Sequence, residues 1–203
     1  LAADAKKTAA CYLLHAGLFD ELEYADKSLI KSAIDHGVNT VLCSSAGRLF
    51  DAVSAILGVA DRNAYEGQCA AALEKEALKA RRSGIKPYPL RFAVEDGEAV
   101  GINPVPLLRT LFAAKGKADK GALALGFHLA VAAAVLEVCG ILRERENCGK
   151  IALSGGVFQN RLLTETLLKR LGENKFEVYL NRQVPPNDGG LCLGQAYIGL
   201  AEG

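Results

Sequence analysis

From Asp26 to Arg82 the apolar positions fall at helical spacing. Leu29, Ile30, Ala33 and Ile34 recur on one side of a segment that Asp26 can cap and Gly37 can close. Residues 38–43 then read as extended or loop. Ser45 can cap a second helix with a stripe of Leu49, Phe50, Val53, Ile56 and Leu57, ended by Gly58. Arg48 and Asp51, three apart, share the opposite face. A third helix is expected over Gln68–Arg82, entered through Tyr65-Glu66-Gly67.

The middle of the chain changes character. Pro87 and Pro89 stop the helical pattern, and residues 90–94 are expected to pair with 99–102 around Asp96-Gly97 as a hairpin. Pro104 and Pro106 punctuate again, so 83–118 reads as hairpin and linker between a helical region, 1–82, and an α/β portion, 119–203. Asp119 opens a long helix reaching about Asn147, with Phe127, Val131, Val135, Val138 and Leu142 on its apolar face. No apolar run is expected to reach membrane-spanning length. Gly126, His128 and Glu137 interrupt the alanine-rich stretch 122–139, which favours a buried helix.

The last quarter alternates. A strand over Lys150–Leu153 leads through Ser154-Gly155-Gly156 into a helix over 160–170. A strand over 176–180 leads through a loop, 184–188, into a final helix over 189–201. That order implies parallel strands with helices packed on them, an α/β architecture. No internal repeat or low-complexity segment is evident.

Composition narrows the function classes. The chain has 203 residues, half of them apolar, with 24 basic against 23 acidic side chains and a net charge of +1. Disorder is excluded as the main state, and the charge balance supplies no general attraction to nucleic acid or an anionic membrane. The six cysteines form no C-x-x-C pair, and no His lies at finger spacing from them. They read as mostly buried, reduced thiols of a cytoplasmic protein. The chain starts at Leu1 and contains no Met, which points to an excised or processed piece of something longer.

Three segments carry candidate chemistry. In the run 154–160, two glycines between a strand and a helix let backbone approach an anionic ligand, though a tight turn explains them equally well. Asn160, read as one turn into the helix, can bond a sugar or base, or simply face solvent. In 185–195, Asp188 stands at a helix cap and is either an N-cap or a carboxylate able to hold a cation at the end of a strand. In 44–51, Arg48 and Asp51 form either an exposed ion pair or a carboxylate presented to ribose hydroxyls; Tyr65-Glu66-Gly67-Gln68 offers the same choice between helix entry and ligand contact. His15, His36 and His128 form no triad that sequence reveals, and His128 reads best as a core or interface side chain.

The order of these elements is more specific than any one of them. SSAGRLFDAVSAILG, YEGQCAAALE, GFHLA, ALSGGVFQNRLL and PPNDGGLCLGQ together resemble the C-terminal region of the HypF family, carbamoyltransferases that mature [NiFe]-hydrogenases. The SGGV-x-x-N element is shared with TsaD-type tRNA threonylcarbamoyl-transfer proteins. The resemblance implies part of an actin-like, TsaD-like domain of the sugar-kinase/Hsp70/actin superfamily, mostly helical, with a short mixed sheet and a hairpin insertion. It implies binding of carbamoyl-adenylate, made elsewhere in the full protein from carbamoyl phosphate and ATP, and carbamoyl transfer to the C-terminal cysteine of HypE.

By motif position, the resemblance puts Asp51 on ribose and lines the adenosine site with Glu66 and Gly67. It brings Gly155 and Gly156 close to phosphate or sugar and gives Asn160 to adenosine. Asp188 matches a metal-ligating aspartate, for Zn or Fe in a complete domain. The family's H-x-x-x-H ligand pair is not in this sequence, so that site is expected to be incomplete. Two other readings stay open: a non-catalytic module docking HypE, and a tRNA-modifying relative. As a lobe that leaves apolar interface uncovered, the chain is expected to self-associate and to be inactive alone.

Overall fold

Asp4 starts the first helix. Its carboxylate accepts hydrogen bonds from the backbone N–H groups of Lys6 and Lys7, satisfying two of the free donors at the start of α1 (Ala5–His15). This computed structural model describes residues 4–21, 24 and 26–202. Contacts within it divide the chain into two compact units, one ending at Ala134 and the other starting at Val135.

In the first unit, α1 packs on α3 (Ala46–Ile56), which packs on α4 (Gln68–Arg82). Phe50, Val53, Ile56 and Leu57 are buried, as the stripe requires. Helix α2 (Lys27–Asp35) forms where expected, but none of its residues is buried and Asp26 makes no side-chain cap bond. Its apolar side is only half covered: Ile30, Ala33 and Ile34 are half-buried where α2 meets α1, and Leu29 is exposed.

In 83–118 the expected hairpin forms with shifted limits, and the linker reading fails. The hairpin forms between β1 (Ala93–Asp96) and β2 (Val100–Asn103), with Asp96 opposite Val100, so Asp96 ends a strand and the turn is 97–99. Residues 105–114 are a helix, α5 (Val105–Ala114), instead of a linker. Pro106 falls in its first turn, where a missing N–H breaks no helical bond. Arg109 Nε donates to the Ala16 carbonyl at 2.9 Å, tying α5 to the end of α1.

The long helix α6 (Lys120–Glu146) opens at Asp119, whose Oδ1 accepts from the Ala122 N–H at 2.8 Å. It is long and apolar enough to cross a membrane by length and composition, against expectation. Within the first unit its start is buried on all sides over 122–128, and Phe127 meets Phe50 edge-on, centroids 4.9 Å apart. Of the expected stripe, Phe127 is fully buried, Val131, Val135 and Val138 are half-buried, and Leu142 is exposed.

In the second unit, β3 (Lys150–Leu153) and β4 (Glu177–Leu180) pair in parallel, Lys150 opposite Glu177 and Leu153 opposite Leu180. Between them α7 (Arg161–Glu173) buries Leu162, Leu163, Leu167 and Leu171. The Arg143 guanidinium lies 4.2 Å from the Phe176 ring centroid. The final helix, α8 (Leu191–Glu202), exposes Leu191, Leu193, Tyr197, Ile198 and Leu200.

All six cysteines are free thiols, but only Cys69 and Cys139 are buried. Cys43, Cys148 and Cys192 are exposed because they sit in an uncovered loop, after α6 and on the bare final helix, so "mostly buried" does not hold.

Candidate functional site

Asp51 is the most constrained charged group of the first unit. Its side chain is only 5% exposed. Arg48 Nη1 lies 3.0 Å from Oδ2, and the Asn63 amide donates to the same carboxylate. The Arg48/Asp51 pair is thus not the exposed ion pair the spacing suggested: tertiary packing around α3 covers the carboxylate, while Arg48 stays about a third exposed. Oδ1 is buried with no hydrogen-bond partner, and so is Ser54 Oγ. Burial raises the Asp51 pKa, against the lowering effects of the Asn63 bond and the Arg48 charge. The Cys69 thiol is pushed up to about 11, first by burial and then by the charges of Asp51 and Asp61.

Glu66 and Gly67 lie in the exposed turn that enters α4. Gly67 is the N-cap, with φ 77° and no side chain to cap the helix. Capping comes from upstream instead, where Asn63 Oδ1 accepts from the Cys69 N–H at 2.8 Å, and Gln68 Oε1 reaches back to accept from the Ala64 N–H at 2.6 Å and close the turn. Asn63 therefore touches both Asp51 and the base of the Glu66–Gly67 turn. Sequence reasoning passed over it; the available signal was an Asn just ahead of a helix entered through glycine.

In the second unit, Gly155 has φ 102°, a conformation that glycine alone adopts without strain. Its N–H donates to the Pro186 carbonyl at 2.7 Å, which brings the 154–156 turn against the 185–188 segment. No heavy atom lies within 4 Å of where a Cβ on Gly155 would stand, and at Gly156 the nearest is Asn187 Cβ at 3.8 Å. The backbone there is open to close approach.

Asn160 is placed differently from the expectation. Residues 156–159 form a 3₁₀ turn, so α7 starts later and Asn160 is its buried N-cap, with Oδ1 accepting from the Leu163 N–H at 2.9 Å. Asp188 likewise is not the cap. Asn187 caps the short 3₁₀ turn 188–190, accepting from the Gly189 N–H at 3.1 Å, and Asp188 is its exposed first residue. Among the described residues, no three His, Cys, Asp or Glu side chains cluster as metal ligands. A lone Asp188 does not fit Zn or Fe, which take several ligands at once.

His128 belongs to the core. It is buried, its Nδ1–H donates to the Ala124 carbonyl at 2.8 Å, and its ring meets Phe50 edge-on. Burial pushes its pKa down to about 4.

Residues 2–195 match the family model for the second subdomain of the Kae1-like domain of the carbamoyltransferase HypF. The chain belongs to this family. It is 36% identical over 181 residues to carbamoyltransferase HypF of Rhodobacter capsulatus, covering 88% of this chain and 22% of that protein. Carbamoyltransferase HypF of Rhizobium leguminosarum bv. viciae is 37% identical over 157 residues, covering 77% and 19%. A crystal structure of full-length HypF in its phosphate- and nucleotide-bound form superposes with a TM-score of 0.85 at 31% identity, over 98% of this chain and 26% of that one. HypF of T. kodakarensis gives 0.79 at 26% identity, over 97% and 27%. The chain thus spans about a fifth of the length of these curated relatives, and its fold is the actin-like, Kae1-like one that the motif order implied.

Proposed function

We propose that this chain is the part of a HypF-type carbamoyltransferase that holds carbamoyl-adenylate, made from carbamoyl phosphate and ATP, during transfer to HypE. Asp51 accepts from a ribose hydroxyl, with Glu66 and Gly67 beside it. Gly155 and Gly156 admit phosphate or sugar to the backbone, and Asn160 bonds adenosine. The HypE cysteine thiolate attacks the carbamoyl carbon; a C–S bond forms, the C–O bond to phosphate breaks, and AMP leaves with the electron pair.

The observation that carries this reading is the buried, unpartnered Oδ1 of Asp51. A buried acceptor without a donor costs about 1–3 kcal/mol, and a ribose hydroxyl would supply the donor. The nucleotide-bound state of a HypF that superposes on nearly all of this chain supports it. The test is carbamoyl transfer to HypE by full-length carbamoyltransferase carrying this sequence. Asp51→Ala is expected to lower transfer at least tenfold, and wild-type transfer would refute the assignment. The exposed apolar side chains of α8 favour one companion reading, that this chain also docks a protein surface.

A further inference from the structure

We propose that Asn63 is a positioning residue of the nucleotide site: its side chain fastens Asp51 on α3 to the start of α4, holding the carboxylate in register with the Glu66–Gly67 turn. The inference rests on the reading of Asp51 as the ribose acceptor. Asn63 suits the task because one planar amide has an acceptor and a donor on adjacent atoms. Its Oδ1 takes the Cys69 N–H, and its amide donates to the Asp51 carboxylate. Gly67, the N-cap residue, can do neither. The Gln68 to Ala64 bond closes the same turn from the other side, so 63–68 is pinned at both ends. Ribose and base approaching this turn would then meet a carboxylate whose place is set by the helix that also carries the turn.

The charged and titratable groups facing Asp51 are Arg48 on its own helix and Cys69 on α4, with Asp61 also acting on Cys69. Of the groups that favour the ionised carboxylate, only Asn63 is uncharged. Removing its donor therefore raises the pH at which Asp51 becomes protonated, which a cap-only role would not do.

The experiment is AMP titration of the full-length protein between pH 5 and 8, comparing wild type, Asn63→Asp, Asn63→Ala and Asp51→Ala. The binding component lost in Asp51→Ala reports this site. Asn63→Asp keeps an acceptor for the Cys69 N–H but sets a second carboxylate against Asp51 where the donor was. Its AMP affinity is expected to fall at least tenfold, the scale of a lost hydrogen bond to a charged group, with the acid limb of binding moved to higher pH. Asn63→Ala should show the same loss together with a lower melting temperature. Wild-type affinity and an unmoved acid limb in Asn63→Asp would overturn the positioning role. An unaffected Asp51→Ala has a different signature: it overturns the ribose reading, and the proposal with it.

Discussion

Gly126 of α6 lies against the Tyr88 carbonyl so closely that a Cβ on it would stand 2.1 Å from the oxygen. The same contact is held by a backbone bond, Tyr88 N–H to the Ala122 carbonyl at 2.9 Å. Helix and extended segment meet backbone to backbone, which only glycine permits. Gly126→Ala should therefore force the two apart and destabilise the protein by about 2–4 kcal/mol, at the upper end of overpacking penalties. Gly140→Ala, on the same helix with nothing within 4 Å of the new Cβ, should be neutral or slightly stabilising. Urea midpoints of the two variants check this; equal effects would contradict it.

Much of the helical framework was legible because long periodic segments came with their own boundaries. α4 and β3 have the expected limits, and α6 begins beside Asp119 as its cap chemistry required. What was lost depended on local geometry with more than one solution. Pro104 and Pro106 read as breaks, yet a proline in a first turn is harmless, so α5 was missed. Glycine-rich 154–156 passes into a 3₁₀ turn instead of straight into helix, and that shift turns Asn160 from a helix-body residue into a buried cap. The burial of Asp51 was invisible for another reason. An Arg and an Asp three apart look like a surface pair, and only the packing of α1 and α4 around α3 sets how far the pair is covered.

His128 makes stability pH-dependent. Its folded-state pKa lies near 4 against an ordinary 6.5, so between these values the unfolded chain binds a proton that the folded chain refuses. Stability is therefore full above pH 6.5 and is lost as the pH falls towards 4, by roughly 2–4 kcal/mol at about 1.4 kcal/mol per unit. Asp51, with a raised pKa, works in the opposite sense: above its ordinary value of 3.8, stability falls as pH rises through its folded value. Urea unfolding at pH 7 and pH 4.5 should show the acid loss in wild type and little of it in His128→Gln. An equal loss in both would assign the effect elsewhere.

α8 is mostly apolar and exposed along residues 191–201: Leu193 and Ile198 are more than half exposed, and Leu200 is 85% exposed. A helix of that composition is stable in water only when something covers it. The 203-residue chain alone is expected to self-associate, and Leu193→Glu with Leu200→Glu should shift it towards monomer. Light scattering after size exclusion decides the matter. A monodisperse wild-type monomer would mean that α8 is tolerated bare.

Asn160 combines two roles that a single alanine substitution would confuse. As N-cap of α7 it satisfies the Leu163 N–H, worth about 1 kcal/mol, and in the proposed site its Nδ2 would donate to adenosine. Serine caps helices as well as asparagine but lacks that amide nitrogen. Asn160→Ser should therefore melt within a few degrees of wild type, yet transfer carbamoyl groups to HypE about tenfold more slowly in the full-length protein, the loss expected from one ligand hydrogen bond. Asn160→Ala should show the same loss of transfer and a lower melting temperature as well. If Asn160→Ser transferred at the wild-type rate, Asn160 would be a cap alone, and recognition of adenosine would have to come from the Glu66–Gly67 turn.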